Sequence, residues 1–136
     1  MKRSAFTLVE LLIVMAVIAA LISVVAPMGL NALKQARTVE VAGDYRGVMQ
    51  EIIGLVAGRG KPIANTAINT NSYKTPFSIA TTSAYVYTIT ASGTSFDKSK
   101  YDGNYLQGAL ENTRNSTIFS PDTFVLSFSV ASYIYN

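Results

Sequence analysis

The apolar positions of this chain fall into two regimes. From Phe6 to Leu30 the sequence reads FTLVELLIVMAVIAALISVVAPMGL, with Glu10 as its one charged residue. At about 1.5 Å of rise per residue a helix of this run reaches about 37 Å, enough to cross a bilayer with some tilt. Beyond it the apolar residues become periodic, with Leu30, Leu33, Val41, Tyr45, Val48, Met49, Ile52 and Val56 at mostly three- and four-residue intervals. That spacing predicts one long helix, wholly apolar over 6–30 and amphipathic in its continuation over 31–58. Gly54, Gly58, Gly60 and Pro62 should end it, because glycine accepts the left-handed cap and proline cannot continue a helix. Arg59 and Lys61 then lie near the helix C-terminus, where the dipole favours cations.

The remainder reads as loops and strands. Ile63 to Thr75 is rich in Asn, Thr and Ser, which compete for backbone hydrogen bonds and favour a connection. Ala84 to Thr90 is β-branched and aromatic and predicts a strand, followed by a turn-prone stretch from Ser92 to Asn104 that includes Asp102-Gly103. Shorter strands are expected near Phe77 to Ala80 and around Tyr105 to Leu110. The last strand is expected over Thr123 to Tyr135, where Phe124, Leu126, Phe128 and Val130 alternate with smaller or more polar neighbours. The fold class that follows is α+β: a long N-terminal helix whose second half packs against an antiparallel sheet of three or four strands. The 136 residues leave room for one small domain after the apolar helix, the globular part of 31–136.

Charge changes the reading of the N-terminus. Lys2 and Arg3 precede the apolar run, and by the positive-inside rule they hold the N-terminus in the cytoplasm, so the chain beyond Leu33 should lie outside. A secretory signal would place its small-residue cleavage site after the apolar core, whereas Ala5 comes before it, and a cut there leaves the hydrophobic segment on the mature protein. Glu10 needs compensation, since an ionised carboxylate at bilayer depth costs roughly 2.5–3.5 kcal/mol, less towards the interface. It can snorkel, or it can meet a cation. Pro27 leaves the Ser23 carbonyl without its helical donor, and Gly29 loosens the same turn. By itself this is an ordinary kink of a membrane helix.

Taken together, Lys2-Arg3, Phe6-Thr7-Leu8-Val9-Glu10 and the long apolar run resemble the N-terminus of bacterial type IV pilins and the related pseudopilins, over Ala5 to about Leu33. The resemblance implies a leader, residues 1–5, cut by a prepilin peptidase between Ala5 and Phe6, and N-methylation of the new Phe6 terminus. Ala5 stands where that family usually has Gly. It also implies that Glu10, the fifth mature residue, acts in subunit assembly by meeting the Phe6 amine of a neighbour as water is excluded. A proline at this place in the family sits where the helix becomes extended inside the filament, so Ser23, Pro27 and Gly29 mark the expected helix break.

The function implied is that of a structural subunit of a type IV pilus, with no catalytic activity, serving twitching motility, surface attachment or DNA uptake. A pseudopilin of type II secretion, or a minor or competence pilin, is the alternative. Its partners would be copies of itself in a helical homopolymer, the prepilin peptidase, the inner-membrane assembly machinery and membrane lipid before assembly. It would reside in the inner membrane as a single-pass chain and then in a filament on the cell surface.

The remaining composition narrows the chemistry. There is no His and no Cys, which excludes thiol catalysis, cysteine zinc sites and the C-terminal disulfide loop of many pilins of that family. Carboxylates are scattered, so no acid–base pair, metal site or cofactor is expected. Asp97, Asp102 and Glu111 lack the dense alternate-oxygen spacing of a calcium loop and read as solvated turns. Asn115-Ser116-Thr117 is a glycosylation sequon read as an unmodified loop. The net charge of +3 is weak support for DNA as a partner, since Lys98, Lys100 and Arg114 are too few and too spread to define a track. Of the eight tyrosines, Tyr85, Tyr87, Tyr133 and Tyr135 are expected to pack on the sheet. Lys34, Arg37, Glu40, Asp44, Arg46 and Glu51, on the polar side of the helix, are expected to be a solvated or subunit-facing surface.

Overall fold

The structure is a computed structural model and describes residues 6–93, 96–111 and 117–134. It divides into two compact units, Met1–Leu33 and Lys34–Asn136. Helix α1, Leu8–Arg59, contributes to both. It ends as its sequence requires: Gly60 takes a φ of +62° and donates its amide to the Val56 carbonyl at 2.9 Å, the left-handed closure that glycine accommodates without a Cβ penalty.

In the first unit no large apolar side chain from Phe6 to Leu33 is less than 46% exposed. The helix is long and apolar enough to cross a membrane. It runs unbroken through Ser23, Pro27 and Gly29. A single proline withdraws one donor while the flanking i to i−4 bonds persist, and the Ser23 hydroxyl turns back onto the Ala20 carbonyl at 2.7 Å. The helix break expected at Ser23, Pro27 and Gly29 is therefore not present in the single chain. That expectation concerned the filament and is taken up below.

In the second unit, hairpin strands β1 (Phe77–Ser83) and β2 (Val86–Ala91) precede helix α2 (Gly103–Glu111), strands β3 (Thr117–Ser120) and β4 (Val125–Ser129), and the short helix α3 (Ala131–Ile134). The four-stranded sheet is antiparallel throughout, in the order β1-β2-β4-β3. On the central pair, Tyr87 faces Phe128 and Ile89 faces Leu126, all four buried. Tyr45, Val48, Ile52 and Val56 of α1 join the same core, completed by Leu106 and Leu110 of α2. Tyr45 fixes the contact. Its ring meets Phe77 edge-on at 4.8 Å, and its hydroxyl donates to the Phe124 carbonyl while accepting the Ala91 amide at 3.1 Å. The sheet thus docks on the amphipathic stretch of the helix, as the α+β reading expects.

Three expectations need correction. Tyr105 to Leu110 is not a strand but lies within α2: Leu106 and Leu110, four residues apart, are both buried, and the Asp102 side chain accepts the Tyr105 amide at 3.1 Å as an N-cap. Asp102-Gly103 is thus a helix start rather than a turn between strands, and Gly103 is required there, since a Cβ would stand 2.5 Å from the Pro121 carbonyl oxygen. The last strand is shorter than Thr123 to Tyr135. Phe124 adopts a φ of +55° before it, and after it the Val130 amide leaves the ladder to reach the Tyr85 carbonyl at 2.8 Å, so the chain turns into α3. The strand expected from Ala84 begins at Val86, because Tyr85, with a φ of +66°, belongs to the hairpin turn.

Candidate functional site

At the start of α1, Thr7 and Glu10 hold each other. The Glu10 carboxylate accepts the Thr7 amide at 2.7 Å and the Thr7 hydroxyl at 2.8 Å, and the Glu10 amide donates back to the Thr7 hydroxyl at 3.3 Å. This is a capping box, in which an N-cap hydroxyl and an acid three residues on satisfy helix-end donors reciprocally. The positive end of the helix dipole favours the carboxylate at the same place. Sequence reasoning singled out Glu10 and passed over Thr7. The signal was there, since Thr-x-x-Glu before an apolar run is the sequence form of the motif.

Phe6, next to the cap, is 79% exposed. Ala5, the other residue of the expected cleavage site, lies outside the described residues, as do Lys2, Arg3, Arg114, Tyr135 and the first two residues of the sequon. Thr117, the third, is buried in β3 with its hydroxyl 3.0 Å from that of Tyr133. The structure brings Phe6 beside the Thr7–Glu10 cap, while Ser23, Pro27 and Gly29 stand more than a dozen residues farther along the helix.

The polar side of α1 beyond Leu33 is more occupied than expected. Asp44 accepts the Thr75 amide at 3.0 Å and its hydroxyl at 2.7 Å, Arg46 donates to the Ala109 carbonyl at 2.6 Å, and Glu51 accepts the Tyr73 hydroxyl at 3.1 Å. Glu40 pairs with Lys74. These side chains fasten the connection after the helix and the end of α2 to the helix. Burial, and then the neighbouring Glu51, push the Tyr73 phenol above its ordinary range, while the hydrogen bond to Glu40 raises the Lys74 ammonium.

The acids considered for calcium have local duties. Asp97 accepts both the hydroxyl and the amide of Ser99, which hold its carboxyl below its usual range, Asp102 caps α2, and Glu111 accepts from Gln107 at 2.8 Å. Among the described residues no cluster of three His, Cys, Asp or Glu is placed to hold a metal. Tyr87 is buried with its hydroxyl on the Ile63 amide at 2.9 Å, and Tyr133 packs edge-on against Phe128, so both serve the sheet as expected.

Residues 1–26 match the family model described as the prokaryotic N-terminal methylation motif. This match supports a type IV pilin-like prepilin. No curated protein and no solved structure matches the chain. The motif and a long helix followed by an antiparallel sheet indicate a pilin-like or pseudopilin structural subunit rather than an enzyme. The motif implies processing by a prepilin peptidase followed by pilus assembly, and the apolar helix fits a membrane-anchored stage before it.

Proposed function

We propose that this chain is a filament-building subunit of a type IV pilus. Residues 1–5 are the leader, 6–30 the membrane and filament-core helix, and 31–136 the outer domain carrying the helix continuation 31–58. The cut falls between Ala5 and Phe6, and the Phe6 amine is methylated. The observation that carries this reading is the contrast on α1: a wholly exposed apolar stretch bearing one carboxylate at its start, with no apolar partner in its own unit. In water that surface has a strong drive to be covered, first by lipid and then by identical helices.

Glu10 joins these stages. In the single subunit its charge is satisfied by Thr7; in the filament it turns to the Phe6 amine of a neighbour. The capping box keeps the acid solvated and aimed at the helix end until that amine arrives. Ser23 to Gly29 is continuous helix in the single chain and extends on assembly, where neighbouring helices re-satisfy the backbone groups that Pro27 frees. Twitching, attachment or DNA uptake then follows from the finished filament.

Glu10→Gln tests the proposal. The variant should be inserted, cut at Phe6 and folded in normal amounts, while sheared surface filaments fall on the order of a hundredfold, as for loss of one partner of a desolvated charge pair. Mass analysis of the mature N-terminus accompanies it. Abundant mutant filaments, or a mature chain beginning at Met1, would overturn the reading; filaments confined to the cell envelope would favour the pseudopilin.

A further inference from the structure

A cleft of about 230 Å³ opens in the second unit, lined by Arg37, Glu40, Lys74, Thr75, Phe96 and Tyr101 among others. It is smaller than the roughly 300–1,000 Å³ of pockets that enclose drug-sized ligands, so it suits a compact group. Its cations are Arg37 and Lys74, and its carboxylates are Glu40 and, held on the Thr75 amide and hydroxyl and acting on Lys74, Asp44. Lys74 is paired with Glu40, whereas Arg37 is exposed and has no hydrogen bond or ion pair among the described residues. One wall is the parallel stack of Phe96 on Tyr101, with ring centroids 4.8 Å apart and planes 9° from parallel. With Lys74 answered by these carboxylates, the unpaired Arg37 guanidinium beside an aromatic wall calls for an anion.

The source of that anion follows from chain distance. Arg37 is four residues beyond Leu33, the last of the exposed apolar run, so it lies about 6 Å from it along a helix and no more than about 14 Å in any conformation. A bilayer of about 40–45 Å with a hydrocarbon core of about 30 Å places its phosphates in that interval. Arginine, lysine and tyrosine are also the side chains that settle at membrane interfaces. A carboxylate from a second copy fits less well. Each described carboxylate accepts a bond within its own chain except Asp122. Asp122, two residues from Phe124, whose ring packs on Phe96 at 5.3 Å and Tyr101 at 6.4 Å, is thus the one described carboxylate that a second copy could offer.

We infer that this cleft takes the headgroup phosphate of an anionic phospholipid while the subunit waits in the membrane, an inference that rests on the membrane stage of the reading above. The Arg37 guanidinium presents two parallel donors to the phosphate oxygens, Lys74 adds a point charge, and the stacked rings wall the cleft. Extraction into a filament then requires the lipid to leave.

The test uses the full chain in nanodiscs of phosphatidylcholine containing a minority of phosphatidylglycerol, with retained lipids counted by native mass spectrometry. Phosphatidylglycerol should be retained above its share of the disc. Arg37→Gln should lower that enrichment about fivefold and added Lys74→Gln about fivefold again, one membrane-surface cation each. Lys34→Gln, one turn away and outside the cleft, should change it less than twofold. Near-UV circular dichroism shows that each variant keeps its core, and Arg37→Lys, which retains the charge but not the two parallel donors, should recover only part of the enrichment. No enrichment, equal losses at Lys34 and Arg37, displacement by millimolar inorganic phosphate, or retention of a second protein copy in place of lipid would each overturn the inference. Discs hold single subunits, so filament failure in cells would sink the pilus reading without touching this result. Protection of residues 8–30 from exchange scores insertion separately.

Discussion

One helix, α1, serves two solvents. Over Leu8 to Leu33 its apolar side chains are exposed on every side, whereas over Lys34 to Arg59 they form a stripe that closes on the sheet, with Val39 the one large apolar side chain left exposed. Both stretches are helical and rich in Leu, Ile and Val. The difference lies in periodicity: the second stretch interrupts its apolar residues every three or four positions and so has one face to bury within its own domain. The first has no polar face and can be satisfied only by surroundings apolar on all sides. Hydrophobicity thus directs one stretch inward and the other outward, and truncating an apolar side chain should cost the outer domain stability only where that side chain belongs to its core.

The largest contrast should come from truncating a leucine. Leu126→Ala removes a fully buried side chain from the centre of the sheet and should destabilise the outer domain by about 3 kcal/mol, seen as a lower urea midpoint for the detergent-solubilised chain. Leu21→Ala, 62% exposed, should leave that midpoint unchanged. A matching loss at both positions would mean that the apolar stretch is part of the domain core.

Tyr45→Phe sharpens the comparison within the second stretch. It keeps the ring against Phe77 but removes the hydroxyl that joins the Ala91 amide and the Phe124 carbonyl, and about 1–2 kcal/mol should be lost. Burial also pushes the Tyr45 phenol well up from 10.0. A folded-state value above the unfolded one gives stability that is complete below about pH 10 and is lost as pH rises above it. The unmutated domain should therefore melt steeply with alkali, and the variant, though weaker at neutral pH, should lose less between about pH 10 and 12. Parallel alkaline curves would assign the loss to other groups.

The smallest effect is local to the first stretch. Thr7→Val keeps the shape but removes the hydroxyl of the cap, so amides in the first turn of α1 should exchange about fivefold faster in micelles while the domain midpoint stays fixed. Unchanged exchange at residues 8–11 would show that Glu10 does not depend on Thr7.

Legibility followed the range of the interactions. The apolar run, the amphipathic continuation and the close at Gly60 rest on neighbours in sequence and could be read directly. Tyr105 to Leu110 misled because Tyr and Leu suit a strand as well as a helix over so short a span; the deciding signals were the Asp102 cap and the four-residue spacing of Leu106 and Leu110. Strand β3 escaped notice because four residues carry almost no period. The uses of Asp44 and Arg46 depend on Thr75 and Ala109, 31 and 63 residues away, which no local pattern reveals. At the N-terminus, Glu10 is legible through the cost of its charge, whereas the role of Thr7 rests on the three-residue spacing of a capping box, a weaker signal than a lone carboxylate in an apolar run.

Among the described residues the ordering β1-β2-β4-β3 places β1 and β3 at the two edges of the sheet. Crowding identical domains together invites such edges to join into continuous cross-β sheets, a route to irreversible clumping. Here β3 is four residues long, and the exposed half of β1 is Thr81-Thr82-Ser83, where the register with β2 slips between Thr81 and Ser83. A bulged edge twists away from a flat partner, and hydroxyl side chains give it little to zip against. Domains of this kind can be held at very high local density and still part again as separate molecules.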